Sequence, residues 1–203
     1  MNNTNEQIIN IMLDLETTGT EPGCCILSIG AVKFLTGELR GAMEQDYRRH
    51  YDTVSHNSCL AIGLTDSVST MLWWDGQDSI ARDEAFSGKT NIRAALAKFS
   101  AWYKASTADY QPANIRLWCK GAAFDEPILR AAYEVADLSS IYPINYRSIM
   151  CYRTLEALYP EIVKTYQRTG TAHSAIDDAT NQAGCASLIL SYIESNKGGK
   201  VNG

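Results

Sequence analysis

The sequence predicts an α/β domain built on a mixed sheet with helices on both faces. Three observations point there. Two runs rich in Ile and Leu, residues 8–15 and 24–34, are separated by a turn containing Gly19, Pro22 and Gly23. A short apolar run, residues 115–119, lies between two segments of helical periodicity. A long amphipathic pattern over residues 174–193 closes the chain. Alternating segments of these kinds bury both sorts of apolar face only by stacking helices on a sheet.

Taken in order, residues 8–15 read as a buried first strand and residues 24–34 as the second. Thr36-Gly37 supplies the next turn, and a third strand is expected over residues 42–47 or slightly beyond. The short turns make these three an antiparallel meander. Residues 55–89 are polar and mixed, with a short helix expected over 67–77 carrying Trp73 and Trp74. Residues 90–104 place Ile92, Ala95, Leu96, Phe99 and Tyr103 at helical spacing. Residues 115–119 read as a buried strand. Residues 125–135 read as a helix, with Pro127 tolerated in its first turn. A short strand is expected over 142–147, then a helix over 149–158 that stops before Pro160. In the closing helix Ile176, Ala179, Ala183, Ala186, Leu190 and Ile193 form one stripe. The expected organisation is a single domain over residues 1–195 and a flexible tail over 196–203.

Bulk numbers narrow the function. The chain has 203 residues, 45% of them hydrophobic and 20% charged, the composition of an ordinary globular domain. The N-terminus lacks the basic and apolar regions of a secretory signal, and no apolar run approaches the roughly 20 residues of a membrane span. The cytoplasm is the expected location. A net charge of −5 argues against dense, sequence-independent gripping of long duplexes. It is compatible with an enzyme that holds only a strand end, since bound cations would offset active-site acids. The six cysteines, at 24, 25, 59, 119, 151 and 185, include no C-x-x-C pair, and there are three histidines. That spacing argues against structural zinc and for reduced, buried thiols.

Three acidic stretches carry the chemistry. Asp14-Leu15-Glu16-Thr17 ends the first strand. Side chains i and i+2 share a strand face, so Asp14 and Glu16 project together and repel unless a cation lies between them. Asp125 opens a helix directly after a strand, a position where a cap and a site residue look alike. His173-Ser174-Ala175-Ile176-Asp177-Asp178 opens the last helix. Ser174-x-x-Asp177 fits a capping box, which would occupy Asp177 and leave Asp178, about 100° around the axis, to face the site. Four carboxylates and one imidazole suit two hard divalent cations and an activated water.

Asp14-Leu15-Glu16-Thr17, Phe124-Asp125 and His173-x-x-x-x-Asp178 resemble, in that order, the three motifs of the DEDDh-type 3′–5′ exonucleases of the RNase H-like superfamily. Trp118-Cys119-Lys120-Gly121-x-x-Phe124-Asp125-x-Pro127-Ile128-Leu129, with Trp73-Trp74 and Arg153-Thr154, is most similar to phage exonucleases of the T-even DNA exonuclease A group and to short exoribonuclease-like proteins. Many relatives carry Asn where Lys120 stands, a position that is not a metal ligand in the family pattern. The resemblance implies an RNase H-like fold and 3′–5′ hydrolysis of single-stranded DNA or RNA to nucleoside 5′-monophosphates. It implies two Mg²⁺ or Mn²⁺ on Asp14, Glu16, Asp125 and Asp178, with His173 as general base. It places substrate against Leu15, Thr17, Thr18, Trp73, Trp74, Lys120 and Phe124, with at least one tryptophan expected in the core. The expected partner is a single strand with a free 3′ end and no membrane, and a homodimer is left open.

Two other readings compete. Asp14-Leu15-Glu16-Thr17-Thr18 is also similar to the Asp-x-Asp-x-Thr start of haloacid-dehalogenase-type phosphatases, which need Asp where Glu16 stands and give His173 no task. Alternatively, a nuclease fold serves only to bind nucleic acid or a partner, against which stands the full set of five site residues.

Overall fold

A computed structural model describes residues 7–196 of the chain. Its central feature is a five-stranded sheet in the order β3-β2-β1-β4-β5. The strands are β1 (Ile9–Thr17), β2 (Ile26–Phe34), β3 (Arg49–Thr53), β4 (Ile115–Cys119) and β5 (Ile149–Cys151). β1–β2 and β2–β3 pair antiparallel, whereas β1–β4 and β4–β5 pair parallel. The meander is therefore as expected, and the sheet is mixed. The helices are α1 (Arg40–Met43), α2 (His56–Leu60), α3 (Val68–Asp75), α4 (Ser79–Phe86), α5 (Ile92–Thr107), α6 (Asp125–Val135), α7 (Tyr152–Leu158), α8 (Pro160–Thr165) and α9 (Ala175–Asn196).

The central strand β1 is covered on both faces, so its sequence is apolar almost throughout. Ile11, Leu13 and Leu15 point to one side and pack with α5 and α6 residues such as Phe99 and Leu129. Met12 points to the other side and packs beneath α9 with Ala179, Ala183 and Ile189. This alternation puts Asp14 and Glu16 on the α9 side. α9 comes close because Gly30, the β2 residue opposite Asp14, has no side chain. A Cβ there would lie 2.3 Å from the Ala175 carbonyl. Local signals set the other helix starts. Asn91 accepts the Arg93 N–H at the head of α5, Asp78 caps α4, and Pro160 opens α8.

Several expectations are corrected. The third strand is not at residues 42–47, which hold α1 and a 3₁₀ turn, but at Arg49–Thr53. It buries His50 and Asp52 and exposes Tyr51, so its pattern hides it from an apolar search. Residues 142–147 form no strand. The edge strand is Ile149–Cys151, where pairing with β4 converts the expected start of a helix into strand, and the helix begins at Tyr152. Residues 55–89 fold into three short helices rather than one. The closing helix continues to Asn196, and residues 197–203 of the expected tail lie outside the described residues.

Candidate active site

The acids converge because β1 is longer than its parallel neighbour. The β1–β4 pairing ends at Leu13 opposite Cys119, while β1 runs on to Thr17. The Leu15 N–H donates instead to Asp125 Oδ1 at 3.1 Å. This bond pins the start of α6 beside Asp14 and Glu16. From the other face, α9 brings Asp178 and the preceding His173. Donor atoms of Glu16, His173 and Asp178 all lie within 4.8 Å of one another. Gln182, one turn beyond Asp178, donates Nε2–H to Asp14 Oδ1 at 2.7 Å.

Crowding these acids without a counter-charge disfavours their ionised forms. Burial raises Asp14 well above its ordinary value, and repulsion from Asp125, Glu16 and Asp178 adds to it. Burial, followed by the charges of Asp178 and Asp125, pushes Glu16 up to about 8. Burial takes Asp125 up to about 7, against the opposing hydrogen bond from Leu15.

His173 adopts φ 62°, the left-handed region that residues other than Gly seldom occupy. Its N–H donates to Asp178 Oδ2 at 3.3 Å. Its ring meets Trp73 edge-on at 5.0 Å. The two tryptophans divide their work. Trp74 is buried and donates its indole N–H to the Thr17 carbonyl at 2.9 Å, whereas Trp73 is 43% exposed. The wall is thus fixed by Trp74 and presented by Trp73.

These side chains line a cleft of about 700 Å³, together with Leu15, Thr17, Lys120 and Phe124. Thr18 does not belong to it. β1 ends at Thr17, and the next side chain turns inward, where the buried Thr18 hydroxyl donates to the Thr65 carbonyl. The capping box is not formed either. Asp177 reaches back to accept the Thr171 N–H at 2.9 Å. Gly170, at φ 86°, leaves room for that carboxylate, since a Cβ there would lie 2.6 Å from it. Asp177 is therefore a brace for the loop before α9, and Asp178 alone of the pair faces the cleft. Sequence reasoning missed Gln182, Arg168, which pairs with Asp178, and the site position of Arg153, which lowers Asp125 by its charge. The i+4 spacing of Gln182 from Asp178 was the available signal.

A family model described as "3′-5′ exoribonuclease Rv2179c-like domain" matches residues 9–190. The chain belongs to this Rv2179c-like family. It is a 3′–5′ exonuclease domain, and every one of the residues just described falls within the match. The Rv2179c-like fold is shared with solved DEDDh nucleases. The nuclease domain of 3′hExo, a DEDDh family member bound to rAMP, aligns with a TM-score of 0.62 at 14% identity over 94% of each chain. E. coli Exonuclease I, in complex with a 5cy-dA13 oligonucleotide, aligns with a TM-score of 0.52 at 12% identity, covering 94% of this chain and 41% of its own. No curated protein matches by sequence. The family match sets aside the phosphatase reading. Among the described residues no helix is long and apolar enough to cross a membrane.

Proposed function

We propose that this Rv2179c-like domain removes nucleotides singly from the 3′ end of single-stranded nucleic acid and releases nucleoside 5′-monophosphates. The observation that carries this reading is the convergence of Asp14, Glu16, Asp125 and Asp178 with the His173 imidazole in one cleft. The donor set fits two Mg²⁺ or Mn²⁺: the ligands are hard carboxylate oxygens, and three of them are raised in pKa in a way that a cation reverses. Those four residues would hold the ions. When bound, the ions supply Lewis-acid polarisation of the phosphodiester and neutralise charge developing on it.

The chain's own groups do the rest. His173 takes a proton at its ring nitrogen from the attacking water as the water oxygen bonds to phosphorus. The bond from phosphorus to the 3′ oxygen breaks, that oxygen takes a proton from solvent water, and the shortened strand leaves with a 3′ hydroxyl; His173 returns its proton to solvent. Trp73 keeps the imidazole edge-on and offers a face for a base, worth about 1–3 kcal/mol where stacking occurs. Leu15 and Phe124 give the terminal nucleoside an apolar seat. Lys120 and Arg153 bring cationic heads to its phosphates. The Thr17 hydroxyl donates to the Gly19 carbonyl at 2.7 Å, which leaves its lone pairs to accept from the 3′ hydroxyl.

The family description names an exoribonuclease, which favours RNA, while the 5cy-dA13 oligonucleotide held by the structurally similar E. coli Exonuclease I keeps DNA beside it. Matched labelled DNA and RNA oligomers test the reading. Mononucleotides should appear progressively in the presence of Mg²⁺ or Mn²⁺, a bulky 3′ block should stop the reaction, and a 5′ block should not. Full activity in excess chelator, or rapid cutting of a closed circular single strand, would overturn it.

A further inference from the structure

Away from the cleft, the described residues hold one more cluster of metal-type donors. Ligand atoms of Cys25, His56 and Asp66 all lie within 4.8 Å of one another. His56 Nε2 is 2.8 Å and 3.0 Å from the two Asp66 carboxylate oxygens. Cys25 is buried, while His56 and Asp66 open to solvent on one side, so an ion has a way in. Cys59, on the same helix α2 as His56, is also buried, and its thiol donates to the Ile26 carbonyl at 3.4 Å.

We propose that Cys25, His56 and Asp66 bind a transition-metal ion of the zinc type, with water completing its coordination. A mixed sulfur, nitrogen and oxygen set selects such an ion over Mg²⁺. The donors sit on three segments already laced by backbone bonds: Cys25 N–H to Thr65 O at 2.9 Å, Thr65 N–H to Gly23 O at 3.0 Å, and Leu64 N–H to Cys59 O at 3.1 Å. That lacing holds the donors near one another before any ion arrives. The sequence spacing is not that of a zinc motif because the cluster is assembled by the fold, from the turn before β2, from α2 and from the strap that follows.

The position gives the ion a role. α2 is five residues long, too short to hold itself by local bonds. The strap continues through Ser67, whose N–H donates to the Thr18 carbonyl at 2.8 Å, into α3 with Trp73 and Trp74. An ion here staples the element that carries the tryptophan wall of the catalytic cleft.

The test is a Co²⁺ titration of the reduced full chain carrying Asp14→Asn, Glu16→Gln, Asp125→Asn and Asp178→Asn, which removes all four carboxylates of the cleft and makes the result independent of the exonuclease reading. One equivalent should bind with a thiolate-to-cobalt charge-transfer band and the strong visible absorption of a tetrahedral centre. Zn²⁺ should displace it and raise the melting temperature. His56→Ala, a partly exposed position where folding is not at issue, should weaken binding by about tenfold or more and abolish the Zn²⁺ shift. Cys25→Ser should remove the charge-transfer band. Absence of that band at saturating Co²⁺, its persistence in the Cys25→Ser protein, or unweakened Co²⁺ binding by the His56→Ala protein would leave only an ion pair beside a buried thiol and overturn the proposal.

Discussion

Asp177 and Asp178 are adjacent in sequence and differ in everything that follows from packing. Asp177 accepts the Thr171 N–H, and Asp178 shares the space of Glu16 and His173. Asp177→Asn should cost up to about 1 kcal/mol and leave most of the turnover. Asp178→Asn should abolish turnover with no comparable loss in melting. Thermal melts by circular dichroism alongside oligonucleotide digestion check both, and the reverse pattern would refute the division. His173→Ala should lose roughly two decades of rate while the protein folds normally. A near-normal rate in that variant would assign the proton to another group.

At the scale of elements, the site depends on how closely α9 approaches β2. Gly30 makes that approach possible, because any larger residue meets the Ala175 backbone at 2.3 Å. Gly30→Ala should destabilise by about 1–3 kcal/mol and displace His173 and Asp178, so the rate should fall further than stability alone explains. Gly41, in α1, has nothing within 4 Å of its would-be Cβ. Gly41→Ala should therefore be neutral or stabilising by up to about 1 kcal/mol. Urea unfolding and turnover of the two variants side by side measure the contrast. Equal behaviour would show that the seat of α9 is not at Gly30.

For the whole molecule, the buried acids tie stability to pH and to cations. Glu16 holds its proton up to about pH 8 in the fold, against an ordinary value of 4.5. Between those values the folded chain binds more protons than the unfolded one, so stability falls as pH rises. Asp125, at about 7 against 3.8, acts in the same direction. Buried His50 works oppositely, because burial takes it down from 6.5 to about 4 and its contribution is lost as pH falls through that window. Above pH 6.5 His50 is neutral in both states and no longer opposes the carboxylates. The metal-free melting temperature should therefore fall between pH 6.5 and pH 8, and Mg²⁺ or Mn²⁺ should raise it most at the alkaline end. Scanning fluorimetry with cation and with chelator checks this. A melting temperature indifferent to both pH and cation over that range would mean the acids are not coupled as described.

Periodicity and end signals are local properties, and what depends on them was legible in the residues. The two-residue alternation places Asp14 and Glu16 on one strand face, and helix α6 spans Asp125–Val135 as its pattern predicts. The order of acids and histidine points to a two-metal nuclease site, and the resemblance those motifs carry narrows it to a 3′–5′ exonuclease. Only the tertiary structure decided matters set by packing between distant segments. Which tryptophan is spent inside follows from the Thr17 carbonyl that Trp74 reaches, and Thr18 is hidden because the strap at Thr65 covers it. Gln182 gains its role from a strand 168 residues away, and His50 and Asp52 of β3 are buried because Phe99, Trp102 and Lys98 of α5 pack against them. A one-dimensional pattern records which way a side chain points along its own element. It holds no record of the distance to the element that will meet it, and that distance determines whether a polar residue becomes a ligand, a brace or a buried contact.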